Sequence, residues 1–319
     1  SSGFSSMLIN RGGLENKGLE ISLDVVAVDD GDFNFSIGGN IAFNKTKIVD
    51  LGLTPGEVLM ANGDGSYGVQ QMPSYLGNVP SRGNSIKFPI NIFLEGQEVA
   101  LFYGWKTDGI FQSGDQMYLI NGAMSQPGDI KVLDLNGDGQ VDLADRTIIG
   151  NPNPDFVYGF NLSMSYKDLS IRALFNGTQG NEIVNGNYYR FGWAEGTYRN
   201  ILGEAWNDRW TADNPAGSYP RLGYSANLFG ALMDRVIEDG SYLRLKSITL
   251  NYDIPVKNNN NFIQSANVYV TGNNLFTWTD YSGYDPEITT FLWDGLLQGT
   301  DWNNKPNLKS VLFGVNLTF

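Results

Sequence analysis

Cysteine and histidine are both missing from the 319 residues. Without thiols there is no disulfide framework, no thiolate metal site and no cysteine nucleophile. Without imidazole there is no Ser-His-Asp constellation, no His-ligated zinc and no histidine base near neutral pH. Charge is sparse too. Only 17% of residues are Asp, Glu, Lys or Arg, and 34 acidic against 21 basic residues leave a net charge of −13. That balance lacks the basic footprint of a nucleic-acid binder, so no nucleic-acid partner is expected. No run of about 18 apolar residues occurs, which excludes a transmembrane helix. It does not exclude transmembrane strands, whose alternation keeps mean hydropathy low. The opening Ser1-Ser-Gly-Phe-Ser-Ser6 has neither a basic nor an apolar leader segment, and reads as a mature start or as a piece of something longer. No carboxylate pair stands out among so many acids, so no glycosidase and no other enzyme activity is expected.

What the chain does have is glycine (39 residues), aromatics (13%) and strict two-residue alternation. Phe156, Tyr158, Phe160, Leu162, Met164 and Tyr166 share one face of a predicted strand. Val157, Gly159, Asn161, Ser163 and Ser165 share the other. After a tight Lys167-Asp168 turn, Leu169, Ile171, Ala173 and Phe175 continue the apolar face, with Leu174 breaking the pattern on the polar one. Leu19, Ile21, Leu23, Val25 and Ala27 alternate in the same way, as do Phe33, Phe35, Ile37, Ile41 and Phe43. So do the last residues, Val311, Phe313, Val315, Leu317 and Phe319. In 241–253 the parity changes between Leu245 and Ile248, which predicts a β-bulge. Arg244 and Lys246 then fall on the wet face, as does Arg172 by simple parity. A basic side chain facing lipid at mid-depth would cost about 2–4 kcal/mol.

Side chains alternate across a strand, so each of these segments has one greasy and one wet face. A soluble sandwich packs the greasy face on a second sheet; a membrane barrel turns it to lipid. The connections favour the barrel. Short ones (29–32, 167–168, about 254–265) fall at one end of the strands, and long ones (44–95, 178–240, 278–308) at the other. Segment 44–95 reads as loop, and weak runs near 99–112 would add a strand pair, giving nine or ten strands. Tyr158, Tyr166, Tyr252 and Trp278 lie near strand ends, where an interfacial aromatic girdle is expected. Trp193, Trp206, Trp210 and Trp293 lie in the long connections. They read as contacts for cargo or a lid, or as a membrane-interface girdle or loop packing.

Within 129–150, Asp134-Leu-Asn136-Gly-Asp138-Gly139-Gln140-Val141-Asp142-Leu-Ala-Asp145 has the spacing of a calcium loop. Asx oxygens stand at relative positions 1, 3, 5 and 9, the Gln140 carbonyl at 7, glycine at 6 and Asp145 at 12. Calcium is the one cofactor this spacing suggests. A turn ladder whose side chains satisfy their own backbone fits the same residues, and no helical pattern flanks the loop.

Several stretches resemble the SusC/RagA family of TonB-dependent outer-membrane transporters of Bacteroidetes. They are Glu15-Asn-Lys-Gly-Leu-Glu-Ile-Ser-Leu23, Phe102-Tyr-Gly-Trp-Lys-Thr-Asp-Gly-Ile-Phe-Gln112, Pro127-Gly-Asp-Ile-Lys-Val-Leu-Asp-Leu-Asn-Gly-Asp-Gly139, Asp145-Arg-Thr-Ile-Ile-Gly-Asn-Pro-Asn-Pro154, Ser241-Tyr-Leu-Arg-Leu-Lys-Ser-Ile-Thr-Leu250 and Thr271-Gly-Asn-Asn-Leu-Phe276. The terminal Phe313, Val315, Leu317 and Phe319 are similar to the family's C-terminal insertion signal. The resemblance implies an all-β transmembrane antiparallel barrel, of which residues 1–319 are the C-terminal portion of a 22-stranded whole. It further implies a plug and the remaining barrel strands in the same transporter, energising by TonB and a SusD-like surface lipoprotein. Oligosaccharide or peptide cargo and an outer-membrane location with contact to lipid follow in the same way. The reading that competes with it is a soluble secreted protein that binds glycans with the help of calcium.

Overall fold

The computed structural model describes residues 12–80, 86–192, 200–223, 230, 232–256, 262–287, 290–291, 293–302 and 304–319. Its frame is a seven-stranded antiparallel meander in which each strand pairs with its neighbour in sequence. The strands are β1 (Gly13–Asp30), β2 (Phe33–Asp50), β3 (Phe156–Tyr166), β4 (Leu169–Gln179), β5 (Tyr242–Ile254), β6 (Ser265–Thr279) and β7 (Ser310–Thr318).

Register converts the sequence alternation into two continuous faces. Phe35, Met164, Ile171, Leu250, Val270 and Phe313 stand opposite one another in a row across six strands. One residue along, Asn34, Ser165, Ser170, Asn251, Tyr269 and Gly314 form a polar row. The polar face carries its own hydrogen bonds, such as Asn316 to Asn267 at 3.3 Å and the Thr249–Thr271 hydroxyl pair at 2.9 Å. Gly314 has a steric role here: a Cβ on it would come within 2.2 Å of the Tyr269 ring, which lies across it. The expected bulge is present. Leu174 opposes Ser247 and Phe175 opposes Leu245, which leaves Lys246 as the extra residue. It returns Leu243, Leu245, Ile248, Leu250 and Tyr252 to one face and puts Arg244 opposite Asn176 on the other.

The long connections, which join β2–β3, β4–β5 and β6–β7, fold together into a cap at one end of this wall. The two clusters of buried apolar side chains lie in or border that cap. The larger holds Phe102, Trp105, Phe111, Ile130, Val184, Tyr189, Met233, Phe291 and Trp302 among others. The smaller holds Val58, Ile92, Leu94, Leu101 and Tyr103. Burying such side chains contributes roughly 1.5–3 kcal/mol each, so the cap has the driving force of a small soluble domain.

Two expectations change. Residues 44–95 are not simply loop: β2 runs on to Asp50, and Gly56–Ala61 pairs with Tyr67–Met72 as a hairpin. The runs near 99–112 form no pair in the wall. Leu101–Gly104 joins a four-stranded cap sheet and Thr107–Ile110 pairs with Ile130–Val132. The described wall therefore has seven strands, two or three fewer than the sequence suggested, and the short-turn, long-loop rule holds without the extra pair.

Candidate functional site

The apolar face of the wall is an extended exposed surface. Among the described residues no second layer lies over it: Phe313 is 78% exposed and Phe319 61%, and Val315, Leu317, Leu19, Ile21 and Leu23 are exposed with them. Aromatic rings border it at both ends. At the cap end Phe43, Phe156 and Tyr158 form a chain with centroids 5.5 and 5.8 Å apart, and Phe276 stacks on Trp278. At the turn end stand Tyr166, Tyr252 and the Phe262–Phe319 pair. Phe156 and Tyr166 are the two ends of β3, an 11-residue strand. At ~3.3 Å per residue and a tilt near 40°, that separation corresponds to a band about 25 Å tall, the height of a barrel's lipid-facing zone.

The Asp134 loop is held by its own oxygens. Asp134 accepts from the amides of Gly137 (2.7 Å) and Gly139 (2.8 Å), Asn136 from that of Asp138 (2.9 Å), and Asp138 from that of Gln140 (3.0 Å). Asp142 caps a 3₁₀ turn by accepting from Ala144 at 2.7 Å. Asp145, at the last position of the motif, is buried and accepts from Leu135, Asn136 and Asp142 at 2.8–3.2 Å. Burial pushes its carboxyl up from the ordinary value, against the pull of those amides. The hydrogen bonds are those of a self-satisfied turn ladder, and among the described residues no group of three or more acidic side chains is poised around a common cation position. One consequence was not legible in the sequence. Arg146, next in line, is buried against the rings of Phe88, Tyr103 and Trp105, with its guanidinium 4.9–5.9 Å from their centroids. It pins the loop to the cap core.

A second polar centre joins cap to wall. Arg244 is 2% exposed and bonds Asp285 and Glu287, both from the β6–β7 connection, while its Nε donates to Thr277 at 2.9 Å. Lys246 adds a 3.5 Å contact to Glu287. Burial alone would raise the Asp285 carboxyl. The bonds from Arg244 and from the Glu287 and Asn307 amides outweigh it and hold that carboxyl below the usual range.

The tryptophans separate. Trp206 is half-exposed and Trp293 is 72% exposed; Trp210 packs partly into the cap core, with its Nε1 3.2 Å from Gln112 Oε1. Trp193 lies outside the described residues. Trp105 and Trp302, which sequence reasoning did not single out as core, are the largest fully buried side chains.

Comparison with known proteins adds an independent line. No family model matches the chain. It is 33% identical to TonB-dependent receptor P26 of Formosa agariphila over 99% of this chain and 30% of that protein. It is 28% identical to TonB-dependent receptor SusC of Bacteroides thetaiotaomicron over 99% of this chain and 27% of that one. In shape it is similar to the RagAB peptide transporter, with a TM-score of 0.72 at 25% identity, over 100% of this chain and 31% of the other. The chain thus spans about 30% of the length of the proteins it matches, and corresponds to the C-terminal portion of large TonB-dependent barrels.

Proposed function

We propose that the chain is a member of the SusC/RagA family of TonB-dependent receptors, to which its relatives and structural neighbour are similar, and that it forms part of the wall and outer cap of a barrel that imports nutrients across the outer membrane. The observation that carries this is the uncovered apolar face with an aromatic border at each end. In water such a face would cost roughly 25 cal/mol per Å² left wet, whereas hydrocarbon removes that cost. A soluble glycan-binding sandwich, the competing expectation, would have to cover it.

In this reading lipid bathes the rows from Phe35 to Phe313, and the polar face lines an aqueous lumen. β1 and β7 are edge strands here, and unpaired backbone edges do not survive in hydrocarbon. The other barrel strands, supplied by the same transporter, close the sheet; a plug within the lumen and TonB beneath it provide the gate and the energy. Phe313, Val315, Leu317 and Phe319 serve as the signal read during insertion. The cap faces outward, because the long connections do. Trp206 and Trp293 are its exposed rings, the proposed contacts for a SusD-like lipoprotein lid or for oligosaccharide or peptide cargo. The RagAB neighbour is named a peptide transporter, which favours the second kind of cargo.

Calcium is a further proposal for the 129–150 loop. Asp134, Asn136 and Asp138 each spend only one lone pair per bonded oxygen, and a carboxylate has about four. Limited proteolysis of the full-length transporter tests it: added calcium should slow cleavage between Asp134 and Asp145, and a chelator should speed it. Equal rates would leave the loop to its own hydrogen bonds.

The importer reading is tested on the full-length polypeptide. It should fractionate with the outer membrane and show heat-modifiable gel mobility, and solvent labelling should spare the rows from Phe35 to Phe313. Recovery of a folded protein soluble without detergent would overturn it.

A further inference from the structure

Lys17 of β1 stands directly opposite Lys45 of β2. Like charges at opposed positions repel, and a strand pair normally avoids them. The register leaves no doubt about the face: the next opposed pair on the same side is Leu19 with Phe43, the start of the apolar band. The pair beyond is Glu15 with Lys47. Glu15 also touches Lys17. Among the described residues, no carboxylate lies within ion-pair distance of Lys45 or Lys47; Glu98 stands opposite Lys47 across the other edge of β2 and, with Glu182, borders the same pocket as both lysines, whereas the residue opposite Lys45 is Lys17.

Height matters as much as charge. Lys45 lies two residues past Phe43, about 6–7 Å along the strand. Phe43 heads the ring chain with Phe156 and Tyr158 that borders the hydrocarbon. The ammonium groups therefore stand one headgroup-depth beyond the apolar band, at the cap end and on the side that faces lipid. Opposed Cβ atoms in a sheet are about 5 Å apart, so one phosphate reaches both lysines.

We propose that Lys17 and Lys45, with Lys47 beside them, bind the phosphate of an anionic lipid in the outer leaflet. The inference rests on the outer-membrane reading and adds a ligand to it. Each ammonium near an anionic headgroup is worth roughly five-fold in affinity.

The test compares the full-length transporter with its Lys17→Gln/Lys45→Gln double variant, both extracted from outer membrane in mild detergent. Retained lipid is quantified by mass spectrometry, and the thermal midpoint is measured with added phosphorylated lipid A or its dephosphorylated form. The wild type should retain several-fold more phosphorylated lipid and shift its midpoint with the phosphorylated form alone. Lys131→Gln, a cap variant, should behave as wild type. Equal retention by wild type and double variant would overturn the proposal. So would an equal midpoint shift with inorganic phosphate, which would make the site one for a free anion. A photo-crosslinker at Lys45 should capture lipid; capture of an acidic segment of the same polypeptide would also overturn it. If the double variant still inserts and keeps heat-modifiable mobility while lipid retention is unchanged, the lipid site fails and the barrel reading stands.

Discussion

Phe313 and Phe102 are the same residue type in one chain, yet the first is 78% exposed and the second is fully buried. Phe313 sits in β7, whose residues are exposed throughout apart from Gly314. Phe102 sits in the cap, among rings and aliphatic side chains packed as in a soluble domain. The wall is held by backbone ladders and leaves its apolar atoms outward; the cap buries its own. In the proposed membrane setting, two solvents explain the difference. Hydrocarbon offers nothing to the backbone, so every strand must be paired, but it accepts apolar side chains at no cost. Water offers hydrogen bonds to loops and drives their apolar atoms inward.

The largest expected effects come from breaking the cap alone. Trp105→Ala removes a ring packed on Phe88 and bound through Nε1 to the Asp142 carbonyl at 2.8 Å. Its loss should cost about 3–5 kcal/mol. Protease should then cleave the cap while heat-modifiable mobility of the barrel persists. Simultaneous loss of both would mean that cap and wall fold as one unit.

Arg244→Met cuts the joint between the two regions. Buried Asp285 then lacks its cationic partner while Glu287 keeps only the 3.5 Å contact with Lys246, and breaking such a group costs about 3–5 kcal/mol. Protection of the 280–309 connection in hydrogen exchange is the readout. The same joint has a pH signature. Because the Asp285 carboxyl is held below its unfolded value of about 4, its contribution is complete above that pH and fades as the pH drops through the folded value. Exchange in this connection, taken relative to its intrinsic rate at each pH, should be flat from pH 7 to about 5 and rise only in stronger acid. A rise near pH 6 would point to another group.

Leu162→Lys and Asn161→Lys are neighbours on β3 that face opposite ways. The first places an ammonium in the middle of the apolar row and should cost about 2–4 kcal/mol in a bilayer. The second faces the lumen side beside Asp24, whose carboxylate is near Gly38 and Asn161, and should cost little. Urea unfolding in vesicles measures both. A soluble protein would punish neither so selectively.

The wall was legible because a strand with two different neighbours must alternate, and alternation survives in a single sequence. Even the bulge at Lys246 showed, as a parity break between Leu245 and Ile248. The cap was not legible. Its strands run two to six residues, too few for a period, and its core joins residues far apart, such as Trp105 and Trp302. Tryptophans there look alike in sequence whether they end as core, like Trp302, or as exposed rings, like Trp293. The Asp134 loop was legible as a tight acidic turn. Its spacing could not say whether the oxygens serve backbone amides or a cation, since both demand the same Asx positions.

The smallest effect belongs to the end of the wall remote from the cap. Lys167 opens the two-residue turn between β3 and β4 with φ at +53°, and its amide donates to the Asp32 carbonyl at 2.7 Å. Lys167→Gly relieves the strain of a side chain in the left-handed region, roughly 1 kcal/mol. It also loosens the unfolded chain by about 0.4–1 kcal/mol and removes an exposed 3.8 Å contact with Asp32 that is worth little. The sum should lie within about 0.5 kcal/mol of zero, because the backbone bond to Asp32 needs no side chain. Lys167→Val keeps that bond but puts a branched Cβ at the same φ, so it should lose about 1–2 kcal/mol. Refolding into vesicles separates the two variants. If glycine were as damaging as valine, the turn would depend on the lysine side chain rather than on backbone geometry. The wall would then share with the cap a reliance on side-chain contacts that its ladders otherwise make unnecessary.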